Sequence, residues 1–130
     1  MTTITDRRRA GLPTVLRVDG WSTALFGVGL TLCAPLLRAP LGLPTALSLL
    51  FGAVMITGGA ALLSIAGHRP HRYGRVVVAV NAASAVGMTA LACSGLLPLT
   101  ALGIGFLLTG AVLVATFAAL EFAGLRAALR

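Results

Sequence analysis

Four stretches of the chain are apolar almost without interruption, at about 18–37, 43–66, 76–97 and 99–123. Each reaches the roughly 20 residues that a helix needs to cross the hydrocarbon core of a bilayer. The breaks between them, "RAPLG", "GHRPHRYGR" and "LLPLT", each carry the Pro or Gly that punctuates helices. The pattern predicts an all-α fold, an integral membrane four-helix bundle running up, down, up, down. Residues 1–17 then form a short basic N-terminus, 18–123 the transmembrane domain and 124–130 a short basic C-terminus. Nothing is left over for a soluble domain.

Composition agrees with that class, since 58% of the residues are hydrophobic and only 10% charged, against roughly 45–50% and 25% in soluble domains. The net charge of +7 comes from ten arginines against three acids, with no lysine. A nucleic-acid partner is not implied, because such proteins gather basic residues on a folded face beside polar or aromatic readers. Here the arginines stand only at the ends of apolar runs, where they report topology. Positive residues flanking a span are retained in the cytoplasm. Arg7, Arg8, Arg9 and Arg17 precede the first run, Arg69, Arg72 and Arg75 separate the second from the third, and Arg126 and Arg130 follow the fourth. Arg38 alone falls on the opposite side. Both termini and the 67–75 loop are therefore expected in the cytoplasm of a bacterial cell, with the chain multi-pass in its inner membrane. Trp21 fits an interfacial anchor and Tyr73 falls in the inner loop.

The first run reads as an uncleaved helix rather than a signal peptide. It is longer than a signal core, and a cleavage site after Ala39 would have Leu37 two positions earlier and Pro40 just beyond. Lipidation of Cys33 needs a small residue before it, where Leu32 stands.

Helices in lipid associate through small residues and hydrogen bonds, because the tails are as apolar as leucine. Stripes of this kind occur at Thr23, Gly27 and Thr31, at Ala79, Ala83 and Gly87, at Asn81, Ala85, Thr89 and Cys93, and at Ala111, Ala115, Ala119 and Ala123. Pro35, Gly58 and Gly59 are the expected bends. Measured from the end of its apolar run, Asn81 lies within about 9 Å of the inner side by the helical rise. Asp19, Ser22, Ser64 and Glu121 fall at a similar depth. The expectation is an inner-leaflet polar cluster of Asp19, Asn81, Glu121 and Ser64, with the acids paired to arginines such as Arg17 or Arg126.

Other chemistry is thinly represented. Cys33 and Cys93 lie near the outer, oxidising end and are a candidate thiol pair, although no C-x-x-C occurs. His68 and His71 are three apart but have no Cys or carboxylate beside them to complete a metal site. No catalytic set of Ser, His and Asp shares a depth, and no glycine loop precedes a helix to hold phosphate. No enzyme activity, cofactor or metal is expected.

Taken together, "LRVDGW" entering the first helix, "LGLPTAL" entering the second, a lone Asn early in the third, "LTALGIGF" opening the fourth and "EFAGLR" closing it resemble the small four-helix membrane proteins of high-GC bacteria such as actinobacteria. The resemblance implies a membrane home and no activity, and it marks Asp19, Asn81 and Glu121 as the recognisable polar positions. Small multidrug exporters fit less well, since they centre on a Glu inside the first helix. Fluoride channels carry a glycine-rich arginine motif that is absent here, and quinone-linked thiol oxidases need cysteine pairs.

The leading expectation is a non-enzymatic accessory or scaffold subunit, or a homo-oligomer, whose partners are the lipid bilayer and either a larger membrane protein or a second copy. The alternative is a small transporter or channel with a polar track of Asn81, Glu121, Thr89 and Thr109. A weaker one is a membrane thiol redox protein using Cys33 and Cys93.

Overall fold

The computed structural model describes residues 4–128, and their side-chain environments over 11–127. The side chains of Arg7, Arg8 and Arg9, and the whole of Arg130, lie outside that description. The described chain is all-α: α1 (Ile4–Leu32), α2 (Ala34–Leu41), α3 (Thr45–His68), α4 (Pro70–Cys93) and α5 (Ala101–Ala128). Helices α3, α4 and α5 are each long and apolar enough to cross a membrane, and α1 with α2 makes a fourth span if that bent pair counts as one. The protein is accordingly a helical protein of multi-pass membrane character.

The first apolar run is not a single helix over 18–37. α1 starts as early as Ile4, ends at Leu32, and α2 leaves it at an angle of 84°. Pro35 is the cause: it has no N–H to donate and its ring crowds the carbonyl one turn back. The amide of Cys33 still bonds to Gly29, and the amides of Leu36 and Leu37 then turn back onto the Cys33 carbonyl, restarting the helix. α2 closes on Gly42, whose φ of 68° is left-handed, and the main-chain amide of Thr100 donates to the Leu41 carbonyl.

The inner loop expected at 67–75 shrinks to one non-helical residue, Arg69. Pro70 opens α4, a first-turn position where its missing N–H costs nothing, so Arg72, Tyr73 and Arg75 belong to a helix. α3 runs unbroken through Gly58 and Gly59. α4 stops at Cys93, earlier than 97, because Gly95 is left-handed and Pro98 follows.

α1 packs along α3 and α4 packs along α5, while α1 and α5 join the two pairs; α3 and α4, though consecutive, scarcely touch. The helices thus follow the order α3, α1, α5, α4. One apolar cluster gathers Leu12, Leu16, Leu62, Ala66, Val77 and Leu125, from the start of α1, the end of α3, the start of α4 and the end of α5. A second, built on Leu30, Leu41 and Leu43, sits at the other end. Neighbouring helices therefore run in opposite directions.

Burial follows seams that alternate steps of three and four. On α3 the buried positions are Ser48, Gly52, Gly59, Leu62 and Ala66; on α5 they are Gly103, Leu107, Ala111, Ala118, Glu121 and Leu125. Of the expected four-spaced stripes, Thr23, Gly27 and Thr31 do face a neighbour, with Gly27 buried against α3, and Ala85 and Ala111 are buried, but Ala115, Ala119, Ala123, Ala79, Ala83 and Gly87 are exposed. A strict step of four drifts about 40° around the helix each time, whereas alternating three and four holds one side.

Candidate functional site

The polar residues collect where the two helix pairs meet. Asp19 lies on the buried seam of α1 between Leu16 and Thr23, and the Thr23 hydroxyl, one turn on, donates to Asp19 Oδ1 at 3.0 Å. The amide nitrogen of Asn81 on α4 donates to Asp19 Oδ2 at 2.9 Å and to Glu121 Oε1 on α5 at 2.5 Å. One carboxamide thus ties three helices. Asp19 is 3% exposed and Glu121 fully buried; Glu121 Oε2 is sealed and has no hydrogen-bond partner.

The arginine pairs expected for the acids do not form. Among the described residues neither carboxyl meets an arginine; both turn to Asn81 instead. Arg17 is exposed, and the Arg126 guanidinium lies 5.8 Å from the centre of the Phe122 ring. A guanidinium near a helix end keeps its solvation by reaching outward, whereas seam positions on α1 and α5 aim both acids inward. Ser64 also falls outside the cluster. It is exposed, because Leu62 and Ala66 occupy the seam of α3, and its carbonyl oxygen lies 2.8 Å from His68 Nδ1.

α4 begins at Pro70, six residues before its apolar run, so Asn81 stands about 16 Å along that helix, near its middle. Ser22 and Trp21 are exposed on α1. Thr89 is exposed and returns its hydroxyl to the Ala85 carbonyl, and Thr109 is exposed too, so neither joins Asn81 and Glu121 in a track. Cys33 and Cys93 are free, exposed thiols, and no disulfide links them. His68 and His71 are exposed, and among the described residues no three His, Cys, Asp or Glu converge as a metal site.

The sequence reading placed Thr23 in a packing stripe and not in the polar cluster, although its spacing of four from Asp19 was a usable signal, and it did not single out Ser48. Ser48 carried no such signal: it is fully buried on α3 and its hydroxyl has no partner. Chemically the site offers two carboxyls on one carboxamide, with no arginine among the described residues against either. No family model, curated protein or solved structure matches the chain.

Proposed function

We propose that the protein is a non-enzymatic, four-span subunit of a bacterial cytoplasmic membrane, with both termini inside, that assembles with a second copy of itself through α4. Counting the bent α1–α2 pair as one span gives the alternation that the arginines require, and the antiparallel packing puts Arg17, Arg69, Arg72, Arg75 and Arg126 at one end with Arg38 at the other.

The observation that carries the reading is the outward side of α4. Val76, Ala79, Ala83, Val86, Ala90 and Cys93 alternate steps of three and four and are all exposed. This is a second seam, opposite the one that holds α5, on a helix at the end of the row. Lipid gives a helix no reason to prefer alanine, but a neighbouring helix does, since small side chains let two backbones approach. A second copy is the natural occupant. A nine-to-one arginine bias gives every copy the same orientation, so two α4 helices run parallel and meet residue against residue about a two-fold axis.

Natural Cys93 ends the seam and supplies the test. Mild oxidation of membrane vesicles should give a covalent dimer that is lost in Cys93→Ser and kept in Cys33→Ser, because bridged Cα atoms must lie within about 7 Å. Ala83→Phe should abolish the product. A chain that remains monomeric throughout sinks the reading, and recovery of a larger protein across the same α4 positions makes it an accessory subunit instead.

A further inference from the structure

The cluster of Asp19, Asn81 and Glu121 has a hydrogen-bond inventory that does not close. The Asn81 amide has two N–H groups, and one goes to each carboxyl. Asp19 has both oxygens satisfied, one by Asn81 and one by Thr23. Glu121 has Oε1 satisfied and Oε2 buried with nothing to accept from. Because both groups bond to one nitrogen, the two carboxyls are separated by no more than those two bonds laid end to end. Two adjacent negative charges away from water, with no counter-ion, are far more costly than one.

We infer that Asp19, Asn81 and Glu121 form a binding site for a single proton, carried on Glu121 Oε2. The proton turns the orphaned acceptor into a hydroxyl and removes one of the two like charges, leaving Asp19 ionised and fully hydrogen-bonded. A metal cation suits the site less. The amide presents its N–H edge to both carboxyls, where a hard cation needs oxygen. Reversing the amide would turn three oxygens inward, as a cation needs, but only at the loss of both hydrogen bonds that Asn81 makes.

Among the described residues, no titratable group other than Asp19 faces Glu121. On α1, Arg17 is exposed; on α4, His71, Arg72, Tyr73 and Arg75 are exposed and Arg72 lies over the Tyr73 ring; on α2, Arg38 is exposed, and on α5 itself Arg126 turns to Phe122. The consequence reaches the whole fold. Asp19 belongs to the α1–α3 pair and Glu121 to the α4–α5 pair, so the proton sits where the two pairs are joined. Losing it sets two charges against each other across that joint. Stability that the proton contributes to the joint is therefore present while it is bound and lost as rising pH removes it.

The test is infrared difference spectroscopy of the full chain in lipid nanodiscs across a pH titration, with melting recorded alongside. A protonated-carboxyl carbonyl band should be present at neutral pH, vanish on alkalinisation together with a fall in melting temperature, and be missing from Glu121→Gln, whose melting should not change over that range. In the wild-type protein alone, the absence of any protonated-carboxyl band overturns the inference, whether or not Glu121→Gln folds. A band that persists in Glu121→Gln also overturns it. Stabilisation by sodium or lithium at fixed pH with no such band makes this a metal-cation site and rejects the proton. The dimer proposed above is scored separately, by cross-linking, so either idea can fail alone.

Discussion

Gly20 on α1 and Gly59 on α3 meet backbone to backbone: a Cβ added to Gly59 would stand 2.7 Å from the carbonyl oxygen of Gly20 and equally close to Ala24. Seven residues along each helix the contact repeats between Gly27 and Gly52, where a Cβ on either would come within 2.9 Å of the other's carbonyl oxygen. Two glycines per helix, spaced by seven on antiparallel partners, make a two-rung contact in which main chain replaces side chain. Such an approach gains van der Waals contact that lipid cannot offer.

The neighbouring glycines of α3 separate this role from mere helix composition. Gly59→Leu should cost about 1–3 kcal/mol, as overpacking of a tight interface does, with α1 forced away. Gly58→Leu should change stability little, since nothing lies within 4 Å of the added carbon. Unfolding of the two variants side by side in mixed micelles measures the difference, and equal losses would mean the contact does not hold α1 to α3.

Asn81 joins α1, α4 and α5 through two interhelical hydrogen bonds. Each is expected to contribute about 0.6–1.7 kcal/mol in a membrane, so Asn81→Leu should lose about 1–3 kcal/mol and weaken the joint between the helix pairs. Ser64→Ala, at an exposed site on α3, should stay within about 0.5 kcal/mol. Thermal unfolding in detergent, with cysteine pairs reporting the α1–α5 separation, provides the check.

Thr100 fastens the end of α2 to the start of α5. Its hydroxyl donates to the Pro40 carbonyl at 2.7 Å and accepts the amide of Gly103 at 3.0 Å, capping the helix. Thr100→Val keeps the shape and removes both bonds, with an expected loss of about 1–2 kcal/mol. Hydrogen exchange should show the first turn of α5 opening faster, while Thr109→Val leaves protection unchanged.

Ser48 should respond in the opposite direction. Its hydroxyl is buried without a partner, and such a group is costly where it stands. Ser48→Ala is expected to raise stability by about 0.5–1 kcal/mol, read as an upward shift in melting temperature. A loss instead would show that the hydroxyl is bonded in the membrane.

What could be read from the chain alone was set by solvent. Runs of about 20 apolar residues and arginines confined to their ends are properties of each segment against lipid and water, so the helical class, the membrane character and the approximate spans needed no partner helix. Asp19, Asn81 and Glu121 could be singled out for the same reason, because a polar group in an apolar run stands out locally. Which groups they meet is a different kind of fact. Whether an acid turns to an arginine one turn away or to an asparagine 40 or 62 residues distant depends on which side of each helix faces its neighbour. That is settled by close packing along alternating three- and four-residue seams, through contacts such as Gly20 against Gly59, and not by any property of a single helix. The break of the first span at Cys33 is local to Pro35, but the same packing turned the alanine stripes outward and left Glu121 Oε2 sealed, since an interface is a joint choice of two surfaces and a linear pattern describes only one.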